Sequence, residues 1–100
     1  MVIFTLKKVS RAEADIGAAI RYLGERHPQA TWDFSVQLDK MLDLITKFPE
    51  WFPRQQRTTH PKYRDVRLAV VRPFGYLNFY TFAGDIVTML RVQHDSRNEP

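Results

Sequence analysis

The sequence predicts an α+β domain of two layers, in which a helical hairpin packs on a mostly antiparallel sheet of about four strands. Two observations lead to this fold class. Apolar residues recur at helical spacing between residues 10 and 48, and from residue 64 onward the period changes to the alternation of strands. The chain has 100 residues, of which 44% are hydrophobic, so we expect one domain with one thin core over residues 1–100.

The first half of the chain predicts a strand and two helices, in the order β-α-α. Residues 2–8 are β-branched and aromatic, as in strands. Ser10 and Glu13 form a capping box, which predicts a helix beginning with Ser10 as its N-cap. Pro28 ends this helix and begins the second, which runs to Phe48-Pro49. The apolar stripes expected to face a common core are Ala12, Ile16, Ala19, Ile20 and Leu23 in the first helix, and Ala30, Phe34, Leu38, Met41, Leu42 and Ile45 in the second.

The second half predicts three antiparallel strands over residues 64–71, 76–83 and 86–93. The turns between them are Arg72–Gly75 and the two-residue loop Gly84-Asp85. The last strand is almost continuously apolar, so we expect the first strand of the chain to lie on its other edge. Alternation predicts an apolar face under the helices and a polar face on the other side of the sheet. Across the three strands, the apolar face would carry the rows Leu68–Phe79–Leu90 and Val70–Leu77–Val92. The polar face would carry the row Arg67–Tyr80–Met89 and the pair Asn78–Arg91.

The charge is concentrated in the second half of the chain. Residues 1–53 carry seven basic and seven acidic side chains, whereas residues 54–100 carry eight and four, which accounts for the formal net charge of +4. Seven of those eight basic residues are arginine, whose planar fork suits carboxylates and phosphates. An acidic protein or a nucleic acid is therefore the expected class of partner, and a merely solvated basic face is the alternative.

Several classes of function are excluded by what the sequence lacks. Without cysteine there is no disulfide scaffold, thiolate metal site or cysteine nucleophile. His27, His60 and His94 are too far apart in sequence for a zinc motif, and no glycine-rich phosphate loop exists, so we expect no metal and no cofactor. No apolar run approaches the roughly 18–20 residues of a membrane span, and the N-terminus lacks the order of a signal peptide. The expected location is cytoplasmic.

Five short groups of residues, in this order and over most of the chain, carry a resemblance to a known family. They are Ala12…Asp15-Ile16…Ile20…Leu23, Leu44-Ile45…Phe48-Pro49, Pro61…Arg64, Pro73-Phe74…Tyr76…Tyr80 and Leu90-Arg91-Val92-Gln93-His94…Arg97. Together they resemble the RelE/ParE superfamily of toxins from type II toxin–antitoxin systems, and most closely its ParE branch of plasmid stabilisation proteins.

The resemblance implies one of two activities. ParE-type members poison DNA gyrase and block replication, whereas RelE-type members are endoribonucleases that cut mRNA on the ribosome. Toxins of both kinds are held inactive by an antitoxin whose acidic segment wraps them, so the implied partners are a ParD-like antitoxin and gyrase, with nucleic acid only in the RelE-like case. RelE-like nucleases carry a lysine-rich or Glu/His-based set, but Lys62 is the only lysine here after residue 53. We therefore predict a ParE-like gyrase inhibitor rather than an enzyme; a RelE-like nuclease, a decayed toxin and a simple protein-binding module remain alternatives.

Four residues are candidates for catalysis if the protein is a nuclease. Arg67 and Arg91 could hold a phosphate, and Tyr80 and His94 could carry protons. His94 shares its alternation with Val92, so we expect it to lean toward the core. Arg67 and Arg91 are equally readable as solvated sheet residues.

A second set of residues is predicted to bind the antitoxin or the target. We expect the antitoxin to lie along the arginine-bearing region of the sheet and in the groove beside the helical hairpin. Arginines at one end of neighbouring strands would bind its acidic side chains. Aromatic and aliphatic residues off the core stripe of the second helix, and in the proline-rich stretch after it, would supply apolar contacts. The predicted binding residues are Arg64, Arg67, Arg91 and Arg97, with Trp32, Val36 and Trp51.

Overall fold

The computed structural model describes residues 3–55 and 65–95, and it confirms the predicted architecture of two helices on a four-stranded sheet. Helix α1 spans Ser10–Arg26 and helix α2 spans Pro28–Lys47, so that the break falls at His27 as predicted. A single turn of 3-10 helix, Pro49–Trp51, follows α2. In the part of the chain that the structure describes, no helix is long and apolar enough to span a membrane.

The predicted capping box at the start of α1 is wrong. Val9 is the N-cap in an extended conformation, Ser10 is already helical, and no side chain caps the helix. The N–H of Glu13 donates to the carbonyl oxygen of Val9 at 3.1 Å, and the N–H of Val9 donates to that of Met89 at 3.2 Å. Val9 is thus hydrogen-bonded both to β4 and to the first turn of α1. The helix therefore begins directly after the residue that the sheet holds in place.

Four strands form the sheet: β1 Thr5–Lys8, β2 Arg67–Val71, β3 Tyr76–Ala83 and β4 Ile86–His94. Their spatial order is β1-β4-β3-β2, with β1 parallel to β4 and the other neighbours antiparallel. The prediction that the first strand lies beside the last is confirmed. Both hairpin turns also fall where predicted, and each contains a glycine at positive φ, Gly75 at 72° and Gly84 at 60°.

The predicted register is right between β2 and β3 but fails along half of the β3–β4 pair. Tyr80 faces Met89 as predicted, and the register then shifts by one residue between Phe79 and Tyr80. Such a bulge adds one residue to one strand, and the alternation of residue types does not reveal its position. The predicted pairs Phe79–Leu90, Asn78–Arg91 and Leu77–Val92 are replaced by Phe79–Arg91, Asn78–Val92 and Leu77–Gln93.

The predicted assignment of the two sheet faces is also wrong for most of the sheet, although Val92 packs under the helices as predicted. The face under the helices carries Tyr76 and Tyr80, with Ala69, Val71, Val87, Met89 and Val92. Phe79 and Leu90 pack instead with Val66 in a smaller, separate cluster that Leu68 and Leu77 join. A tyrosine buries a large apolar ring once its hydroxyl has a partner, so counting Tyr80 as polar reversed the faces.

The helical half of the core is as predicted except at Ala30, which is half-buried and belongs to neither core cluster. Phe34, Leu38, Leu42 and Ile45 are buried along α2. Ala12 and Ala19 of α1 are buried against them, with Ile16, Ile20 and Leu23 packed at the margin.

Candidate functional site

Two of the candidate catalytic residues hold the turn that follows α2. The buried hydroxyl of Tyr80 donates to the carbonyl oxygen of Pro49 at 2.5 Å. The guanidinium of Arg67 donates to the carbonyl oxygens of Glu50 at 3.1 Å and Phe52 at 2.6 Å. Three carbonyl oxygens of residues 49–52 are thus bound by two side chains of the sheet.

The environment of Tyr80 keeps its hydroxyl protonated. Burial raises the pKa of this phenol from 10.0 to about 12, an increase that the charge of Glu50 supports and that of Arg67 opposes. At neutral pH Tyr80 is therefore a hydrogen-bond donor and a poor source or acceptor of protons.

The turn over residues 49–52 directs one aromatic side chain toward the core and leaves another exposed. Pro49 is buried, and the ring of Phe52 lies edge-on to Tyr80 with 6.3 Å between centroids. Trp51 stacks on Phe48, with centroids 3.9 Å apart and an interplanar angle of 7°, yet 64% of Trp51 stays exposed. The turn thus presents a preformed aromatic surface beside the C-terminus of α2.

Arg91 is bound to α1 through Asp15. The Nε of Arg91 lies 2.8 Å from Oδ2 of Asp15, and the same oxygen accepts the backbone N–H of Val92 at 2.9 Å. Arg11 lies 3.7 Å from the other carboxylate oxygen. Asp15 therefore ties α1 to β4 beside the bulge. No role for Asp15 was predicted from the sequence, although an acidic residue beside Ile16, at the border of the apolar stripe, was a usable signal.

His94 lies at the same end of the fold as Arg91. Its ring meets the ring of Tyr76 edge-on, with centroids 4.9 Å apart. With Asp15, Arg91 and Gln93 it lines a polar cavity of about 320 Å³ between α1 and the end of β4. The four candidates for catalysis thus fall into two groups: Arg67 and Tyr80 contact the turn after α2, while Arg91 and His94 line this cavity.

The predicted apolar contact residues are distributed along α2. Trp32 is 68% exposed, and it lines a cavity of about 330 Å³ together with Val36 and Phe74. Trp51 lies beyond the other end of the helix. Arg64 and Arg97 lie outside the described residues. The binding role of all these residues stays a prediction.

A larger groove of about 590 Å³ runs between α2 and the edge strand β2. It continues from the Trp32 cavity, with which it shares Gln37. The sequence predicted antitoxin contacts in a groove beside the helical hairpin but did not identify the residues that line it. The α2 side follows helical spacing beside the core stripe. The α2 residues that line it are Gln37, Lys40, Met41 and Leu44.

The described residues bring together no group of three or more His, Cys, Asp or Glu side chains suited to a metal ion.

Comparison with known proteins finds similarity in fold. No protein-family model matches the sequence, and no curated protein matches it. A chain of the chromosomal ParDE toxin–antitoxin system from P. aeruginosa superposes with a TM-score of 0.72 at 14% identity, over 92% of this chain and 96% of that one. A copper-bound mutant toxin from Helicobacter pylori superposes with a TM-score of 0.64 at 15% identity, over 97% and 100%. These likenesses show that the chain shares the fold of these two proteins.

Proposed function

We propose that this chain is the toxin of a type II toxin–antitoxin system, that it binds DNA gyrase and so blocks replication, and that an acidic antitoxin holds it inactive. The observation that carries the proposal is the likeness to a chain of a ParDE system, which covers nearly the whole of both chains. The sequence motifs resemble the same family independently of the superposition. The resemblance to the ParE branch supplies gyrase as the target.

The contacts of the candidate catalytic residues support binding rather than catalysis. Tyr80 is fully buried and donates to Pro49, and its raised pKa opposes proton transfer near neutral pH. Arg67 donates hydrogen bonds to two backbone carbonyl oxygens, and Arg91 forms an ion pair with Asp15. Metal-free RNA cleavage needs a proton carrier and cations aimed at one phosphate. These three side chains instead hold the fold together.

One observation favours the second candidate, a RelE-like endoribonuclease. His94 and Arg91 share a polar cavity with Asp15, and an imidazole beside a guanidinium is a combination that phosphate chemistry uses. In that case His94→Ala would lower RNA cleavage by about a hundredfold or more, the usual contribution of a general acid or base.

Controlled expression in bacterial cells tests the proposal and separates the two candidates. Incorporation of labelled thymidine reports replication, and incorporation of labelled methionine reports translation. We expect DNA synthesis to stop first, with His94→Ala and Tyr80→Phe as toxic as the wild type. Co-expression of the product of the adjacent reading frame should restore growth.

Two results would contradict the proposal. Early loss of translation, with cleaved mRNA and no early effect on DNA synthesis, would indicate the nuclease. Normal growth at a verified level of folded protein would indicate a binding module or a decayed toxin.

A further inference from the structure

We propose that the cavity between α2 and the β2–β3 turn binds an arginine side chain of the target protein, against the rings of Trp32 and Phe74 and beside the carboxylate of Asp33. This inference rests on the proposed function, because it identifies the chemistry with which the chain recognises its target. The site has the opposite charge to the one that an acidic antitoxin needs.

Two aromatic side chains line this cavity of about 330 Å³. Phe74, in the turn between β2 and β3, is half-buried and meets the buried ring of Phe34 edge-on, with centroids 5.7 Å apart. Trp32, near the start of α2, is mostly exposed, and among the described residues it makes no hydrogen bond and no ring contact. The core therefore holds one wall in place, while the other wall offers an unused indole face.

Asp33 carries the only charge among the described residues that line this cavity. Its Oδ1 accepts the side-chain amide of Gln29 at 3.4 Å, a neutral donor that leaves the negative charge uncompensated. In the described part of the chain Asp33 forms no ion pair, not even with Lys40 or Arg72, which line the adjoining groove. The cavity is thus a negative, aromatic site on a chain whose net charge is +4.

An aromatic cavity with one carboxylate suits a cation better than an apolar or acidic group. The face of an aromatic ring attracts a cation that lies over it, and the indole of Trp does so most strongly. A guanidinium fits better than an ammonium, because its plane can stack on a ring while its N–H groups donate to a carboxylate. Acidic side chains of the antitoxin would be repelled by Asp33, so the target is the partner whose basic residues can use this site.

Binding of the full chain to purified DNA gyrase tests the inference. Trp32→Phe keeps an aromatic face and Trp32→Leu keeps only apolar surface, so comparing the two isolates the contribution of the ring. Asp33→Lys reverses the charge of the cavity. Asp39→Lys is its matched control, because Asp39 is exposed on the same helix, lies outside the cavity lining and gives the same change of net charge. Affinity is measured by surface plasmon resonance at low and high salt, and thermal unfolding verifies that each variant is folded.

We expect Trp32→Leu to weaken binding to gyrase about tenfold and Trp32→Phe to weaken it about threefold. Asp33→Lys should weaken binding by about tenfold or more at low salt and by much less at high salt. Asp39→Lys should stay within about twofold of the wild type at both salt concentrations.

A pair of small probes tests the cavity without gyrase. N-acetylarginine amide and N-acetylcitrulline amide have nearly the same shape, but only the first is a cation. We expect the arginine probe to move the NMR signal of the Trp32 indole N–H in a saturable manner, and Asp33→Asn to weaken this binding about threefold or more. Equal responses to the two probes would refute recognition of a cation.

Other contrary results point to different errors. Binding to gyrase that neither Trp32→Leu nor Asp33→Lys changes would refute this site and leave the proposed function standing. Loss of binding to the product of the adjacent reading frame, with binding to gyrase unchanged, would assign the cavity to the antitoxin. Self-association of the wild type that Asp33→Lys abolishes would assign it to a second copy. Failure of the folded wild type to bind gyrase would refute the proposed target, and this inference with it.

Discussion

Tyr80→Phe removes one hydroxyl from the fully buried ring that anchors the turn after α2. The ring stays in place, but the carbonyl oxygen of Pro49 loses its donor at 2.5 Å. A buried polar group left without a partner costs about 1–3 kcal/mol, so we expect the free energy of unfolding to fall by that amount near neutral pH.

The same substitution also changes the response to alkaline pH. Burial raises the pKa of Tyr80 from 10.0 to about 12, so between these values the folded chain keeps a proton that the unfolded chain has lost. The resulting stabilisation is fully present below pH 10 and is lost as the pH rises through 12. With about 1.4 kcal/mol for each unit of difference in pKa, the total is roughly 2–3 kcal/mol.

Urea unfolding of the wild type and Tyr80→Phe at a series of pH values measures this difference. The wild type should lose about 2 kcal/mol more than Tyr80→Phe between about pH 9 and about pH 12. Tyr22→Phe, which removes a hydroxyl from α1, is the matched control and should follow the wild type. Parallel curves for Tyr80→Phe and the wild type would refute the assignment of Tyr80 as a buried, protonated anchor.

Three further predictions concern the stability of the fold, and each is measured by chemical or thermal unfolding. Phe34→Ala should cost about 3–5 kcal/mol because Phe34 is fully buried, whereas the exposed Trp32→Ala should change stability by less than about 0.5 kcal/mol; equal costs would contradict the core. Asp15→Ala should cost about 2–3 kcal/mol, since its carboxylate accepts both a guanidinium and a backbone N–H; a neutral result would show that the link between α1 and β4 is dispensable. Gly75→Ala should cost about 1–2 kcal/mol because Gly75 has a φ of 72°, whereas Gly17→Ala, inside α1 with no close contact, should stabilise by about 0.5–1 kcal/mol; the opposite order would refute the turn geometry.

The parts of the fold that local rules determine were predictable from the sequence. The helical stripe around Phe34 and the break at Pro28 follow from periodicity and from the geometry of proline. Two glycines fixed the two hairpin turns for a comparable reason, because positive φ suits few other residues. Each of these signals is contained within a few neighbouring residues.

The features that failed depend on contacts between distant residues. The bulge beside Phe79 cannot be located from the alternation of residue types, because apolar residues stand at both Leu90 and Val92, on either side of Arg91. Tyr80 carries a polar hydroxyl and is nevertheless fully buried. Its burial is possible because the hydroxyl donates to the carbonyl oxygen of Pro49, 31 positions away in the sequence. The candidate site shows the same limit, since Arg91 could be paired with Asp15 only once α1 was placed on β4.

The lining of the groove between α2 and β2 was not predictable for a related reason. Lys40 and Arg72 are ordinary surface cations in the sequence and lie 32 positions apart. Their proximity results from the packing of α2 beside the edge of the sheet. A groove of this kind becomes visible only with the tertiary structure.

Supercoiling of relaxed plasmid DNA by purified gyrase is the measurement that tests the central claim most directly. The account predicts that the purified chain inhibits supercoiling in a saturable manner, that His94→Ala inhibits equally well, and that the antitoxin restores gyrase activity. Unimpaired supercoiling in the presence of an excess of folded protein, together with cleavage of mRNA on programmed ribosomes, would contradict the claim that this chain is a gyrase inhibitor.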